Sequence, residues 1–212
     1  MTERQVFGFL ALSTHALAVG RGGMALATGL EFRLANGKCL LLRGPNGVGK
    51  STLLLTLAGI IEPLDGKFVL EGANHAELGP PLHYCGHRNA LKPRLTVLEN
   101  LAFWQSLNGA TGIAPIEALE TVGLGALAAL DAGYLSAGQG RRLALARLLV
   151  TARPLWLLDE PTAALDTEGH DLVRRLIDAH LAAGGLVIAA THDPITPSDL
   201  NGVETLVMAG AI

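Results

Sequence analysis

The chain has little of what a nucleic-acid-binding or membrane-spanning protein needs. Aromatic residues make up only 4% of its 212 residues, so stacking platforms for single-stranded nucleic acid are not expected. The net charge is −3 and the pI about 6.1, which argues against a broad basic face for DNA or RNA. Mean hydropathy is high, at +0.38, yet no apolar run approaches the ~20 residues of a membrane-spanning helix. We therefore predict neither a nucleic-acid partner nor a transmembrane span.

Cysteine is also scarce, and its placement argues against a disulfide framework or a zinc site. Cys39 and Cys85 are 46 residues apart and form no C-x-x-C pair, so two buried, reduced thiols are expected. Residues 1–5 contain an early acid, and no apolar segment leads from them to a small-residue cleavage site. A secretory signal is therefore not expected, and we predict a protein of the cytosol.

Short apolar runs alternate with helical patterns, which is typical of an α/β fold. Between Leu10 and Arg43, apolar stretches are broken at Gly20–Gly23 and at Asn36-Gly37, a hairpin-type turn signal. This region is predicted to be antiparallel β structure. Three runs are almost continuously apolar, as expected of strands buried on both faces of a parallel sheet: 38–43, 155–158 and 186–190.

The middle of the chain has a helical character. Thr96-Val-Leu-Glu99 is a capping box that opens a helix expected to end near Gly109. Glu117–Gly123 and Gly138–Ala152 are further helical patterns, and Pro154 stops the second of them. These patterns predict a mostly helical insert within the α/β core.

A further helix is predicted to begin at Asp166 or Thr167 and to end at Gly184. Because no linker or internal repeat separates the segments, we predict one domain. It would cover 1–212, with a core of about 1–87 and 153–212 and a helical subdomain of about 88–152.

The strongest local motif follows the apolar run 38–43 and begins a helix. It matches the phosphate-binding-loop pattern GxxxxGK[ST]. Its glycines let the backbone bend so that successive N–H groups point at phosphates beside a helix N-terminus. Lys50 adds a full charge at the β and γ phosphates, and the Ser51 hydroxyl can ligate Mg²⁺. The predicted nucleotide-binding residues are Gly44, Pro45, Asn46, Gly47, Val48, Gly49, Lys50, Ser51 and Thr52.

A second apolar run, 155–158, ends in two acids, Asp159 and Glu160. This places both carboxylates at the C-terminal edge of the sheet, where open α/β sheets bind their ligands. Asp159 is expected to hold Mg²⁺ through a water, and Glu160 to orient and deprotonate an attacking water. Paired acids after a strand are common by themselves, so this interpretation depends on the phosphate-binding loop.

Further motifs distinguish between kinds of P-loop enzyme. Leu135-Ser136-Ala137-Gly138-Gln139 resembles the LSGGQ signature of ATP-binding cassette (ABC) proteins, and a helix follows it. Residues 161–166 resemble that family's D-loop, and His192, 32 residues after Glu160, resembles its switch histidine. The resemblance implies an α/β P-loop cassette with a RecA-like parallel core, an N-terminal antiparallel β subdomain and an inserted α-helical subdomain.

The resemblance to ABC proteins also implies a mechanism. Two copies of the chain would pack head to tail, each ATP lying between one copy's phosphate-binding loop and the other's signature. Ser136, Gly138 and Gln139 would then contact the partner's ATP, while Glu160, His192 and Lys50 would be catalytic. The implied cofactors are ATP and Mg²⁺, and the helical insert would dock an integral membrane transporter subunit. The chain would then be peripheral, at the cytoplasmic face of the inner membrane.

The sequence departs from the common ABC pattern at three places. Residues 19–23, where an aromatic residue usually stacks on adenine, contain none. Arg21 is either a stacking guanidinium or simply an exposed hairpin arginine. Ala137 replaces the first signature glycine. His87 stands where a glutamine is usual, and it is either a pH-sensitive contact of Mg²⁺ or the attacking water, or a structural histidine without nucleotide contact.

The run 86–101 resembles the GHxxxxKxxLTxxENL stretch of the ATPase subunit of the bacterial cytochrome c maturation system. The LSAGQ form and the small size agree with this, although Gly140 stands where a second glutamine is usual. The resemblance implies a motor for haem export or haem-chaperone release in c-type cytochrome biogenesis. The alternatives are the ATPase of another small-substrate ABC transporter, a soluble ABC ATPase without a transport role, and a P-loop phosphotransferase.

Overall fold

A computed structural model describes residues 6–73, 80–192, 197–198 and 202–209. The first five residues, which bear on the expected lack of a secretory signal, lie outside the described residues. The strands within this part are β1 (Ala11–Arg21), β2 (Met24–Leu30), β3 (Arg33–Ala35), β4 (Cys39–Arg43), β5 (Asp65–Glu71), β6 (Leu82–Cys85), β7 (Leu155–Asp159), β8 (Leu186–Ala190) and β9 (Val203–Val207). The α-helices are α1 (Lys50–Leu57), α2 (Val97–Asn108), α3 (Pro115–Thr121), α4 (Ala137–Val150) and α5 (Thr167–Ala182).

Four strands form an antiparallel sheet around the long strand β1. Strands β3 and β5 pair with its first half, and β2 pairs with its second half. Gly22 and Gly23 form a two-residue hairpin turn between β1 and β2, with φ of +57° and +78°. Glycine adopts such angles without the strain that a Cβ would bring. The predicted antiparallel structure is confirmed for residues 11–35, and so is the break within Gly20–Gly23, whereas Cys39–Arg43 belongs to the other, parallel sheet.

The hairpin interpretation of Asn36-Gly37 is wrong. Strand β3 before this turn belongs to the antiparallel sheet, whereas β4 after it belongs to the other sheet. The Asn36 side chain stabilises the passage, since its Oδ1 accepts from the Leu10 amide at 2.6 Å and its Nδ2 donates to the carbonyls of Gly8 and Gly184. These partners are distant in sequence, so the local pattern predicts a turn but not what it connects.

The second sheet is parallel, in the order β6-β7-β8-β4-β9. The three apolar runs form its inner strands β7, β8 and β4, as predicted. Leu42 of β4 and Asp159 of β7 both pair with Ala190 of β8, so these strands end level with one another. The segments that leave them therefore meet at one edge of the sheet.

Two apolar cores lie on the two faces of the parallel sheet. Alternate residues of each inner strand enter different cores: Trp156 and Leu158 pack with α2 to α5, while Leu155 and Leu157 pack with α1 and the antiparallel sheet. Burial on both faces explains why the runs are continuously apolar. Both cysteines are buried and free, as predicted, and burial raises the pKa of Cys39 to about 12.

Helices α2 to α4 lie between β6 and β7 in the chain. The capping box at the start of α2 is confirmed, since the Glu99 amide donates to Thr96 Oγ1 at 3.1 Å and the Thr96 amide donates to Glu99 Oε2 at 2.8 Å. Asp166 is the N-cap of α5. The helix bounds differ from the predicted ones by one or two residues, and the subdomain boundaries near 88 and 152 stay a prediction. Within the described residues, no helix has the length and apolar character needed to span a membrane.

Candidate nucleotide-binding site

The phosphate-binding loop joins the end of β4 to the start of α1. Gly44, Gly47 and Gly49 have φ of +137°, +80° and +105°, which favours glycine. At Gly44 a Cβ would lie 2.5 Å from the carbonyl oxygen of Met208, so close approach of the two backbones also requires glycine. Gly49 is the N-cap of α1 and supplies no side-chain cap. The first N–H groups of α1 therefore receive no hydrogen bond from a side chain at the N-cap. N–H groups at a helix N-terminus in this state bind anions.

Lys50 is folded back onto the loop. Its Nζ donates hydrogen bonds to the carbonyl oxygens of Gly44 at 2.7 Å and Pro45 at 3.0 Å. The residue is 7% exposed. These bonds hold a positive charge inside the bend of the loop, where it can pair with phosphate oxygens.

Ser51 and Asp159 meet at the floor of the site. Ser51 Oγ donates to Asp159 Oδ1 at 3.0 Å, and Asp159 is 5% exposed. Mg²⁺ usually binds one or two hard protein oxygens and takes its other ligands from phosphates and water. This hydroxyl–carboxylate pair fits that requirement. Within the described residues, no group of three or more His, Cys, Asp and Glu side chains forms a metal site of another kind.

Glu160 and His192 lie beside this pair. Glu160 Oε2 accepts a hydrogen bond from the His192 amide at 3.3 Å, and Glu160 Oε1 lies 3.7 Å from His192 Nε2. The same Nε2 lies 2.8 Å from Asn46 Oδ1 and 3.4 Å from Lys50 Nζ. Arg43 donates to the carbonyl of Thr191 at 2.7 Å and so fixes the backbone before His192. The structure thus brings the three predicted catalytic side chains together.

These residues line a cavity of about 360 Å³. Arg21 and His87 line it too, although both side chains are exposed. Arg21 is the last residue of β1, next to the Gly22-Gly23 turn, so it is an exposed hairpin arginine that also borders the cavity. There is no Phe, Tyr or Trp among the described lining residues. His87 lies beside the candidate nucleotide cavity, and its contact with Mg²⁺ or the attacking water stays a prediction. The cavity is lined by Arg21, Leu26, Asn46, Gly47, Gly49, Lys50, Ser51, Thr52, His87, Asp159, Glu160 and His192.

The signature residues are not part of this cavity. None of the residues Ser136, Gly138 and Gln139 is among its described lining residues. Ser136 is the exposed N-cap of α4, where its Oγ accepts from the Gln139 amide at 3.2 Å and Gln139 Oε1 accepts from the Ser136 amide at 2.9 Å. A Cβ at Gly138 would lie 2.9 Å from the carbonyl oxygen of Ala164. Gly138 of the signature therefore lies against Ala164, and Ser136 faces solvent.

Sequence reasoning missed Arg141, which is 2% exposed. Its guanidinium donates to the backbone carbonyls of Asp159, Glu160 and Pro161. The pair Arg141-Arg142 contains no signal that separates a buried arginine from an exposed one. Arg141 is buried because the pitch of α4 turns its side chain, and not that of Arg142, toward the sheet.

Comparison with known proteins identifies the family. Residues 27–163 match the family model described as ABC transporter. The chain belongs to the ABC transporter family. It is 45% identical to the cytochrome c biogenesis ATP-binding export protein CcmA of Chelativorans sp. (strain BNC1), over 94% of this chain and 98% of that protein. The protein of the same name from Rhizobium meliloti (strain 1021) is 48% identical, over 96% of this chain and 100% of the relative.

A solved ABC transporter ATP-binding protein from Pyrococcus furiosus has a similar fold. Its TM-score is 0.78 at 25% identity, with 92% of this chain and 97% of that chain covered. The predicted fold class, an α/β ABC cassette with a parallel core, an antiparallel β subdomain and a helical insert, is confirmed. The chain is an ATP-binding ABC ATPase, the motor subunit of an ABC complex. A P-loop phosphotransferase is thereby excluded.

Proposed function

We propose that this ABC ATPase drives a membrane complex in the biogenesis of c-type cytochromes, by haem export or by release of a haem-loaded chaperone. The proposed ATP hydrolysis is supported by one observation: Lys50, Glu160 and His192 lie together at one cavity. The biological part rests on two CcmA relatives that are 45% and 48% identical to this chain over nearly its whole length.

In the cavity, residues 44–52 bind the triphosphate through backbone N–H groups and the Lys50 ammonium. Glu160 accepts a proton at its carboxylate from the attacking water and so acts as the general base. His192 holds that carboxylate in place, since both its backbone amide and its ring lie within 4 Å of Glu160. Mg²⁺, held by Ser51 and through a water by Asp159, would neutralise phosphate charge when bound.

A second copy of the chain completes the site. The signature lies at the exposed start of α4, outside the chain's own cavity, and Tyr134 beside it is 77% exposed. A phosphate bound by another copy can therefore reach Ser136, Gly138 and Gln139. This supports an ATP sandwich in which each ATP contacts both copies.

An integral membrane subunit docks between the core and the helical insert. A cavity of about 690 Å³ lies there, lined among others by Tyr84, His87 and Trp104. The Arg147 guanidinium lies 4.0 Å from the Trp104 ring centre, and Trp104 Nε1 is buried without a hydrogen-bond partner among the described residues. Because His87 lines this cavity and the nucleotide cavity alike, a docked element can sense the nucleotide. The chain would thus act at the cytoplasmic face of the inner membrane.

A host strain in which Lys50→Ala replaces the wild-type chain tests the proposal. We expect apo-cytochromes c at normal levels, no haem attached to them, and unchanged b-type cytochromes, as measured on haem-stained gels. Lys67→Ala is the matched control, because Lys67 is exposed on β5 outside the described site. Normal holo-cytochrome c in the Lys50→Ala strain, with loss of another transport activity, would refute the haem role and leave the ATPase standing.

A second experiment separates this role from that of a soluble ABC ATPase. The chain is expressed alone and together with the membrane proteins encoded beside it, and membrane fractions are washed and probed for it. We expect retention only in the presence of a membrane partner. Equal recovery in the soluble fraction under both conditions would contradict docking on a membrane subunit.

A further inference from the structure

Arg141 links the signature helix to the end of the strand that carries the acids. It lies five residues after Ser136 in α4, and its side chain is buried. Arginine has five N–H donors in a planar fork, and all five find acceptors here. Nε donates to Pro161 O (3.1 Å), Nη1 to Gly86 O (2.8 Å) and Asn89 Oδ1 (3.2 Å), and Nη2 to Asp159 O (2.8 Å) and Glu160 O (2.7 Å).

All five acceptors are uncharged oxygens, four of them in the backbone. A buried cation that binds carbonyls rather than a carboxylate is costly unless it is fully hydrogen-bonded. An ammonium could not satisfy acceptors spread over this fork. The full set of five bonds therefore requires arginine, and it fixes the positions of three consecutive carbonyls, at residues 159–161.

Among the three residues whose carbonyls bind Arg141, Glu160 is the one whose backbone position matters most. Its φ is +47°, in the left-handed region that non-glycine residues seldom adopt. Its amide donates to Ala190 O at 2.8 Å, and its carbonyl accepts from Arg141 at 2.7 Å. With both backbone groups held, the direction of the Cα–Cβ bond is set, and so is the approach of the carboxylate to the cavity.

We propose that Arg141 is a positioning residue for ATP hydrolysis. By holding the carbonyls of Asp159, Glu160 and Pro161, it keeps Glu160 in its strained conformation with the carboxylate directed at the nucleotide cavity. The inference rests on the proposed role of Glu160 as general base. It places part of the catalytic geometry in the signature helix, although Arg141 itself touches neither substrate nor reacting atoms.

The test compares Arg141→Gln, Arg141→Lys and Arg153→Gln in the purified chain. Arg153 is the matched control, because it is 8% exposed and donates to Asn108 O at 2.8 Å, away from residues 159–161. A misplaced catalytic group can cost up to about 100-fold. We therefore expect Arg141→Gln to lower kcat by roughly 10- to 100-fold, with KM and ATP affinity nearly unchanged. Arg141→Lys should recover part of kcat, and Arg153→Gln should keep wild-type kcat.

A double-mutant cycle with Glu160→Gln shows whether Arg141 acts through Glu160. If it does, Arg141→Gln causes no further loss of kcat in the Glu160→Gln background. If the fold-losses of kcat in the two single variants multiply in the double variant, the inference is overturned. It is also overturned if Arg141→Gln keeps wild-type kcat while Glu160→Gln is inactive. Wild-type kcat in Glu160→Gln would instead overturn the proposed general base, and this inference with it. Should Arg141→Gln not fold, Arg141→Lys is used in the same cycle.

Discussion

The phosphate-binding loop leads into α1 and the signature leads into α4, but the N-termini of these two helices are capped differently. Gly49 precedes α1 and offers no side-chain cap, whereas Ser136 and Gln139 close a reciprocal capping box on α4. Lys50 lies within the first of these segments, in the chain's own cavity, and the second segment faces outward. An uncapped helix N-terminus beside a cation binds phosphate by itself. A capped, exposed one contributes only when another molecule brings the phosphate to it.

Disabling the phosphate-binding loop or the signature should have the largest effect on ATP hydrolysis. Lys50→Ala should abolish nucleotide binding or hydrolysis, because the triphosphate loses its main fixed positive charge. Ser136→Arg should leave ATP binding by the single copy intact and still stop hydrolysis at the affected site, because the bulky side chain blocks contact between the signature and the partner's ATP. Equilibrium binding of labelled ATP and phosphate release measure the two properties separately.

Mixing the two inactive variants tests whether the segments work across copies. In a mixed dimer one composite site carries both changes and the other carries neither. Half of randomly formed dimers are mixed, so we expect roughly a quarter of wild-type activity to return. No recovery, with mixed dimers demonstrated by differential tagging, would contradict composite sites that work independently.

Glu160→Gln should have the next largest effect. The amide keeps the size of the carboxylate and loses its basicity, so kcat should fall by ~10²- to 10⁴-fold. ATP binding should persist, and the ATP-bound dimer should accumulate in gel filtration with ATP and Mg²⁺. A monomer under these conditions, together with wild-type turnover, would show that Glu160 is not the base.

The two segments also differ in how far sequence could predict their surroundings. The loop 44–52 and the signature motif 135–139 are runs of neighbouring residues, and both were predicted, although the capping box that Ser136 forms with Gln139 was not. Arg141 and Asn36 bind atoms far away in the chain, so no local pattern indicates their partners. Strand β9 was not predicted, since its residues are exposed or only partly buried and it lacks a continuous apolar run.

Acid pH should destabilise the folded chain through two buried histidines, one of which lies beside the C-terminal end of α4. His83 Nε2 lies 2.7 Å from the carbonyl of Thr151, just after α4, and burial lowers the pKa of His83 to about 4. Burial likewise lowers the pKa of His180, stacked on Trp156, to about 4. The unfolded chain binds these protons more readily, so stability is complete above the ordinary histidine pKa and falls as pH drops below it. By about pH 5 the loss is roughly 2 kcal/mol for each ring.

Urea unfolding at about pH 7.5 and about pH 5 measures this loss. His180→Phe is the informative variant, because it keeps an aromatic ring against Trp156 and removes one titrating group. Its free energy of unfolding should change with pH about half as much as that of the wild type. An unchanged pH dependence would show that the ring of His180 does not titrate in this range.

Removing a single capping hydroxyl should have the smallest effect, and it distinguishes a role in helix capping from a role in catalysis. Thr96 and Ser136 form capping boxes of nearly the same geometry, accepting from the third helical residue at 3.1 and 3.2 Å. Thr96→Ala and Ser136→Ala should each lower the free energy of unfolding by about 1 kcal/mol, as loss of an N-cap usually does. In the proposed ATP sandwich only Ser136 would touch a partner's ATP, so only Ser136→Ala should also lower kcat/KM, by about 3- to 10-fold for one lost hydrogen bond. If both variants lose the same stability and the same activity, the signature hydroxyl acts through folding alone, and its contact with ATP is refuted.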